Sequence, residues 1–219
     1  MRYEKLLNKR PTPNVDTPSA VAILSAAEQL FLEKGYVAVT TREIAALAEV
    51  NLGLIPYYFV SKENLAQIVF QRIKNRAFEH GDLVDLAELN CAERMYVQTM
   101  ISWRAMENTE PQTTLRFYYE FLLETKGNCY VSDNFEDLAW SVIREYGRDI
   151  SLAENEMYLT AVAGAEQMLV IRMLNHELNI DYEDVLDLVI SNYFYNIGLS
   201  DQTIAAIILR SKKFLETHG

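Results

Sequence analysis

Apolar residues recur along this chain with the period of an α-helix. Ile23, Ala27, Leu30 and Phe31 fall at i, i+4, i+7 and i+8, the spacing of one buried face, and predict a helix over 19–34. Gly35 stops it as a C-cap glycine. Thr40 and Glu43 form a T-x-x-E capping box that opens a second helix over 41–48. Ala45 and Ala48 on it are small enough to let another helix approach. Glu49-Val50-Asn51 reads as a turn, with Asn51 as N-cap of a short third helix over 52–58. Ser61 is the N-cap of a fourth that runs to about 79 with Leu65, Ile68, Val69 and Arg72 in one stripe.

Beyond Gly81-Asp82 the helical period continues and strand alternation is missing. Helices are predicted over 91–107, 112–126, 133–148, 153–178, 182–196 and 201–216. Breaks fall at Pro111, Gly127-Asn128, near Gly147, at Asn179-Ile180-Asp181 and at Gly198-Leu199-Ser200. The fold class is therefore all-α, with about ten helices. The organisation is a flexible arm over 1–18, a helix-turn-helix unit over 19–80 and a larger helical body over 81–219.

Helix, tight turn, helix is the arrangement that lays one helix in the major groove of DNA. Charge supports that placement. The chain carries −11 overall, yet its first 80 residues hold 10 Lys+Arg against 8 Asp+Glu, while the remainder holds 10 against 23. A positive end on an acidic protein suits one phosphate-facing surface and one turned away. The arm, with Arg2, Lys5, Lys9 and Arg10, suits a phosphate backbone or a minor groove, and equally a solvated tail. Cys91 and Cys129 lie in no CxxC or Cys/His cluster, which fits a reduced cytoplasmic protein. The N-terminus lacks a signal peptide's apolar core, and no run reaches the ~18 apolar residues of a membrane span, so no membrane partner is expected.

The ordered set Ala26-Ala27, Leu30-Phe31, Gly35-Tyr36, Thr40-Thr41, Ile44-Ala45, Val50, Gly53, Ile55, Tyr57-Tyr58-Phe59 and Ser61-Lys62-Glu63-Asn64-Leu65 resembles the TetR family of bacterial transcriptional regulators. The resemblance covers about residues 20–70; the rest agrees only in length and helical character. It implies an N-terminal DNA-binding domain, a C-terminal domain that pairs subunits into an Ω-shaped homodimer, and a small effector that releases the DNA. Repression is the mode it implies. Three positions depart from the family pattern. Glu49 stands where glycine is usual, and a left-handed backbone there costs a non-glycine residue about 1 kcal/mol. Pro56 falls inside the third helix, where it removes a donor and threatens a kink. Leu52 and Leu54 replace polar or basic residues, so the reading face is unusually apolar.

The residues expected to meet operator DNA are Thr41 and Arg42 at the start of the second helix, Asn51, Leu52, Leu54, Tyr57 and Tyr58 around the third, and Lys62 at the start of the fourth. Phosphate contacts position the protein, and base-edge contacts specify the sequence. Tyr hydroxyls suit phosphate oxygens, and Leu52 or Leu54 suits a thymine methyl. Lys62 matches a family position that grips the backbone. With so few cations, a shallow salt dependence is expected. Phe59 belongs to the core, and core packing is the competing reading of Tyr57.

In the body, Tyr96, Met100 and Trp103 share one stripe and Phe117 and Phe121 another. With Trp140, Tyr158 and Met168 they are the candidates for an effector pocket, which the resemblance, rather than the pattern, brings in. An apolar or aromatic effector is expected, because no buried cation cluster is evident to hold an anion. Pairing of two subunits is expected through the last two helices, by Val185, Leu188, Val189, Tyr193, Ile204, Ala205 and Ile208, with Gly164 from the helix over 153–178. Two reading helices then sit about 34–36 Å apart, one duplex turn.

No cofactor or metal is expected. His80, His176 and His218 are not in ligand spacing, and no phosphate-binding glycine loop, GxSxG or HExxH occurs, which points away from an enzyme. The competing function is a helix-turn-helix kept as a fold but acting through protein–protein association, which the apolar third helix and Pro56 would favour.

Overall fold

The computed structural model of the chain describes residues 16–81, 85–108, 113–125 and 133–218. Residues 1–15 of the arm, Cys129 and the breaks at Asp82, Pro111 and Gly127-Asn128 lie outside them, and the last residues of the expected arm cap and open α1. The described residues form ten α-helices and no strand: α1 (Pro18–Lys34), α2 (Thr41–Leu47), α3 (Leu54–Phe59), α4 (Lys62–Gly81), α5 (Cys91–Glu107), α6 (Thr113–Glu124), α7 (Asp133–Glu145), α8 (Leu152–Leu174), α9 (Tyr182–Asn196) and α10 (Asp201–His218).

Local chemistry sets most of the helix starts. Thr17 accepts a hydrogen bond from the Ala20 amide ahead of Pro18, whose missing N–H is one the first turn would leave unbonded. The capping box of Thr40 and Glu43 opens α2 as expected. Three more boxes start α5 (Asn90 and Glu93), α8 (Ser151 and Glu154) and α9 (Asp181 and Asp184). The helix expected over 153–178 stops at Leu174. His176 takes φ +58°, and the amides of Glu177 and Leu178 fold back onto the Arg172 carbonyl. α6 and α7 likewise end two and three residues earlier than the pattern suggested.

α5 is the central strut of the body. Ala92, Met95, Tyr96, Val97, Met100, Trp103 and Met106 are all buried on it. It packs against α4, α6, α7, α9 and α10. The N-terminal helices are joined to this body by stacked aromatic side chains rather than by a linker alone. Phe31 of α1 lies parallel to Phe117 of α6 at 5.1 Å, and Phe70 of α4 parallel to Tyr118 at 4.5 Å. Tyr36, in the α1–α2 link, meets Phe121 edge-on at 5.7 Å. Aromatic pairs of this kind contribute about 0.5–1.5 kcal/mol each beyond the area they bury.

Candidate nucleic-acid interface

The reader is built on α1, against which α2, α3 and α4 pack. Ile44 and Ala45 of α2, Ile55 and Phe59 of α3, and Leu65, Ala66 and Val69 of α4 are buried with Ile23, Ala27 and Phe31 of α1. The Glu43 carboxylate accepts from the Thr40 amide at 2.8 Å and from the Lys34 ammonium at 2.9 Å. Those bonds, Lys34 first, hold its carboxyl down at about 2. Thr41 is half-buried in the first turn, and Arg42 beside it is exposed.

The α2–α3 link differs from expectation in two respects. α3 begins at Leu54, because the Leu54 amide turns back to the Asn51 carbonyl and the Ile55 amide to that of Leu52. Asn51 is therefore not its N-cap. Its side-chain oxygen instead accepts from the Gly53 amide at 2.8 Å, pinning the turn. Pro56 consequently falls in the first turn of α3 rather than in its interior. There its missing donor removes no intrahelical bond, and the expected kink has no cause. Glu49 does hold the left-handed backbone that its position suggested, at φ +54°.

The predicted contact residues divide by exposure. Asn51, Leu52 and Tyr57 stand in solvent, Tyr57 at 60%. Leu54 and Tyr58 are half-buried against the core, and the Tyr58 ring sets that of Tyr57 by an edge-on contact at 4.9 Å. Lys62 is already engaged by its own chain: its ammonium donates to the Tyr36 carbonyl at 2.6 Å and sits 4.3 Å over the Tyr36 ring. Burial pulls its pKa below the ordinary lysine value, against the attraction of Glu124, Glu120 and Glu43.

The sequence reading missed how α6 holds the reader. Glu120 accepts from the Val37 amide at 2.9 Å and from Arg116 at 3.0 Å, and Arg116 donates to the Lys34 carbonyl at 2.8 Å. Gly35, at φ +83°, makes room for this clasp, since a Cβ there would lie 2.4 Å from the Glu120 carboxylate. The i,i+4 spacing of Arg116 and Glu120 beside Phe117 and Phe121 was the available signal, but helical spacing does not name a distant partner.

The effector candidates do not form one group. Tyr96, Met100 and Trp103 are buried along α5. The Tyr96 hydroxyl donates to Asp187 at 2.7 Å, and burial together with that carboxylate pushes its pKa up. Trp103 stacks on Tyr182 at 3.9 Å, and Tyr182 donates to Glu166 at 2.5 Å. The Trp103 indole N–H is buried with no hydrogen-bond partner. Phe117 and Phe121 belong to the aromatic joint with the reader. Trp140 and Tyr158 are half-buried against the core. Met168 is 57% exposed and so faces outward from α8, not into the body.

The pairing candidates also divide by burial. Val185, Val189, Tyr193 and Ile204 are buried within one chain, so a second subunit does not find them on its surface. α9 and α10 are apolar on more than one face, and periodicity alone could not say which face is internal. The Tyr193 hydroxyl is spent on Asn155, at 2.8 Å. Leu188 and Ala205 do stand outside, while Ile208 and Gly164 are half-buried. The exposed apolar stripe is on α8: Met157, Ala161, Ala165 and Met168.

The profile of bacterial regulatory proteins of the tetR family matches residues 23–69. A helix-turn-helix transcriptional repressor of Mycobacterium tuberculosis, Rv3405c, is 38% identical over 66 residues, which are 30% of this chain and 35% of that protein. QacR, a regulator of Staphylococcus aureus, is 49% identical over 43 residues, 20% of this chain and 23% of QacR. The chain thus spans about a third or less of the length of the curated relatives it matches. Over most of the chain the likeness is one of fold. RolR, solved with its ligand resorcinol, superimposes with a TM-score of 0.55 at 17% identity, over 88% of this chain and 93% of its own. A TetR transcriptional regulator from Rhodococcus sp. RHA1 gives 0.54 at 17%, over 84% and 98%. Residues 23–69 thus match the tetR family of bacterial regulatory proteins, and the ten helices of the described residues share the fold of solved regulators of that family.

Proposed function

We propose that the protein is a transcriptional repressor that binds operator DNA as a homodimer and is released by a small apolar or aromatic effector. The carrying observation is the reader itself: a capped α2, a pinned turn and an α3 whose Ile55 and Phe59 are buried while Leu52 and Tyr57 are left outside. That is the geometry by which a second helix enters a major groove. Arg42, with Thr41 beside it, serves the phosphates, and the hydroxyls of Tyr57 and Tyr58 reinforce it. The Lys62 ammonium has one donor committed to Tyr36 and two left for a phosphate oxygen.

The body, roughly residues 81–219, holds the effector and pairs the subunits. The unpartnered indole N–H of Trp103, among the rings of Tyr118 and Tyr182, is the polar handle for an aromatic ligand bearing an acceptor. RolR, which shares the fold, was solved with a phenolic compound. Pairing uses the α8 stripe together with Leu188 and Tyr195 of the adjoining α9. A Met157→Lys, Met168→Lys variant is expected to be monomeric by light scattering at micromolar concentration while keeping its helical circular dichroism; an unchanged dimer excludes the α8 stripe.

Selection of genomic DNA fragments with purified protein tests the function directly. Enriched fragments bound by the natural chain, and lost with Arg42→Ala, support the regulator. The exposed apolar set of Val37, Leu47, Leu52, Tyr57 and Val60 favours one second reading, docking on another protein. Failure to enrich any fragment supports that reading instead.

A further inference from the structure

The polar inventory of the reader restricts what it can recognise. α3 is Leu54-Ile55-Pro56-Tyr57-Tyr58-Phe59, with no cation, no carboxamide and no carboxylate. Its only hydrogen-bonding side chains are two phenols, and Tyr58 is half-buried. Guanine is read best by a bidentate Arg or Lys, and adenine by an Asn or Gln that donates and accepts at once. Asn51 is the one carboxamide at the reader's edge, but its oxygen is bonded to the Gly53 amide at 2.8 Å. That bond turns the carboxamide oxygen toward its own turn and leaves it one lone pair for any other partner, so a two-point pair with adenine competes with the turn. Arg42 sits on α2, the helix that crosses the sugar–phosphate backbone in this arrangement.

Apart from Glu49 and Asn51 in the turn, the side chains that the turn and α3 leave exposed are largely hydrocarbon. Leu52 is 40% exposed and Tyr57 60%. The major groove offers one feature that hydrocarbon reads with sequence information, the C5 methyl of thymine. Resting on the operator-binding role proposed above, we infer that base recognition is carried by thymine methyl groups packed against Leu52 and Tyr57, with guanine contributing little. Operator half-sites are therefore fixed by where their thymines stand. The positive balance of the first 80 residues supplies affinity for any duplex, and the methyl contacts supply the choice among duplexes. Glu49, exposed in the turn, is the remaining acceptor, suited in principle to the cytosine amino group. Its carboxylate would also meet phosphate repulsion, and it is the competing specificity residue.

The test uses the full chain and a duplex enriched from a randomised pool. Thymines of the enriched site are replaced singly by deoxyuridine, which deletes the methyl and leaves pairing intact. Loss of one buried methyl lowers affinity about fourfold. At two symmetric positions together the loss exceeds tenfold. Leu52→Ala abolishes the deoxyuridine effect at the thymine it covers and leaves the effect at other thymines in place, which a purely structural role of Leu52 would not do. Affinity that is indifferent to every deoxyuridine but falls with 7-deazaguanine, or with Glu49→Gln, overturns the inference and leaves DNA binding standing. Enrichment of no duplex at all removes the operator-binding role as well.

Discussion

Gly35→Ala is the most informative single change in this protein, because two separate costs meet at one methyl group. The first is backbone strain. Gly35 has φ +83° and ψ +168°, a region that residues with a Cβ avoid, at about 1–3 kcal/mol. The second is the clasp. A Cβ would lie 2.4 Å from one Glu120 carboxylate oxygen and 2.6 Å from the other, so the carboxylate must swing away and release the Val37 amide. Val37 is 60% exposed, so water replaces part of that bond, and the loss is about 1 kcal/mol. Together Gly35→Ala costs about 2–4 kcal/mol, or roughly 5–15 °C in Tm for a chain of this size. Glu120→Ala alone costs about 1 kcal/mol, because it loses the bond without the strain. Both variants destroy the same bond, so the double variant falls short of the sum by about that 1 kcal/mol. Urea unfolding of the four proteins measures the cycle. Gly35→Ala within about 0.5 kcal/mol of the natural chain, or strict additivity with Glu120→Ala, refutes the argument.

Other predictions follow from the same geometry. Glu49→Gly relieves a left-handed backbone at φ +54° and raises stability by about 0.5–1 kcal/mol in urea unfolding, net of glycine's extra freedom in the unfolded chain. Glu43 has its carboxyl lowered from 4.5 to about 2, so its contribution is present above pH 4.5 and disappears as pH falls through 2. The stability difference between the natural chain and Glu43→Gln should therefore narrow across that window in acid titrations followed by circular dichroism. Tyr193→Phe strands the buried Asn155 oxygen, whose amide nitrogen already lacks a partner, and costs about 1–3 kcal/mol. Adding Asn155→Leu recovers part of that loss in the same unfolding measurement.

The helices were legible because their signals are local. Ile23, Ala27, Leu30 and Phe31 repeat within one helix, and Thr40 with Glu43 closes a box across three residues. The predicted and observed limits of α5 and α9 coincide. The start of α3 was misplaced because Asn51 has two local options, capping a helix or pinning a turn, and only the packed reader decides between them. Which face of α9 is internal was not legible, for a different reason. Val185, Val189 and Tyr193 repeat as cleanly as any interface stripe, but in an all-helical body the same repeat serves the internal core. Lys62 illustrates the limit for single residues. Its place at the start of α4 was plain, while its bond to the Tyr36 carbonyl spans 26 positions and left no mark in either neighbourhood.

The link over 34–37 bears on how a ligand in the body could affect the reader. Its Lys34 carbonyl and Val37 amide are held by Arg116 and Glu120 of α6. Its Lys34 side chain holds Glu43 of the α2 cap, and its Tyr36 carbonyl holds Lys62 at the start of α4. α6 therefore acts on the first turns of two reader helices through four consecutive residues. Three aromatic pairs across the same joint add about 0.5–1.5 kcal/mol each. With about 1 kcal/mol for each polar bond of the clasp, separating reader from α6 costs roughly 4–6 kcal/mol. A ligand shifts an equilibrium only by its differential affinity for the two states, and moving a population from 1:99 to 99:1 takes about 5.5 kcal/mol. Undocking the joint would consume that much before any DNA contact changed. A displacement that carries α6 and the reader together leaves the joint intact and demands less. An effector of the kind proposed would therefore tilt the reader as a body with α6 at less cost than it would release it.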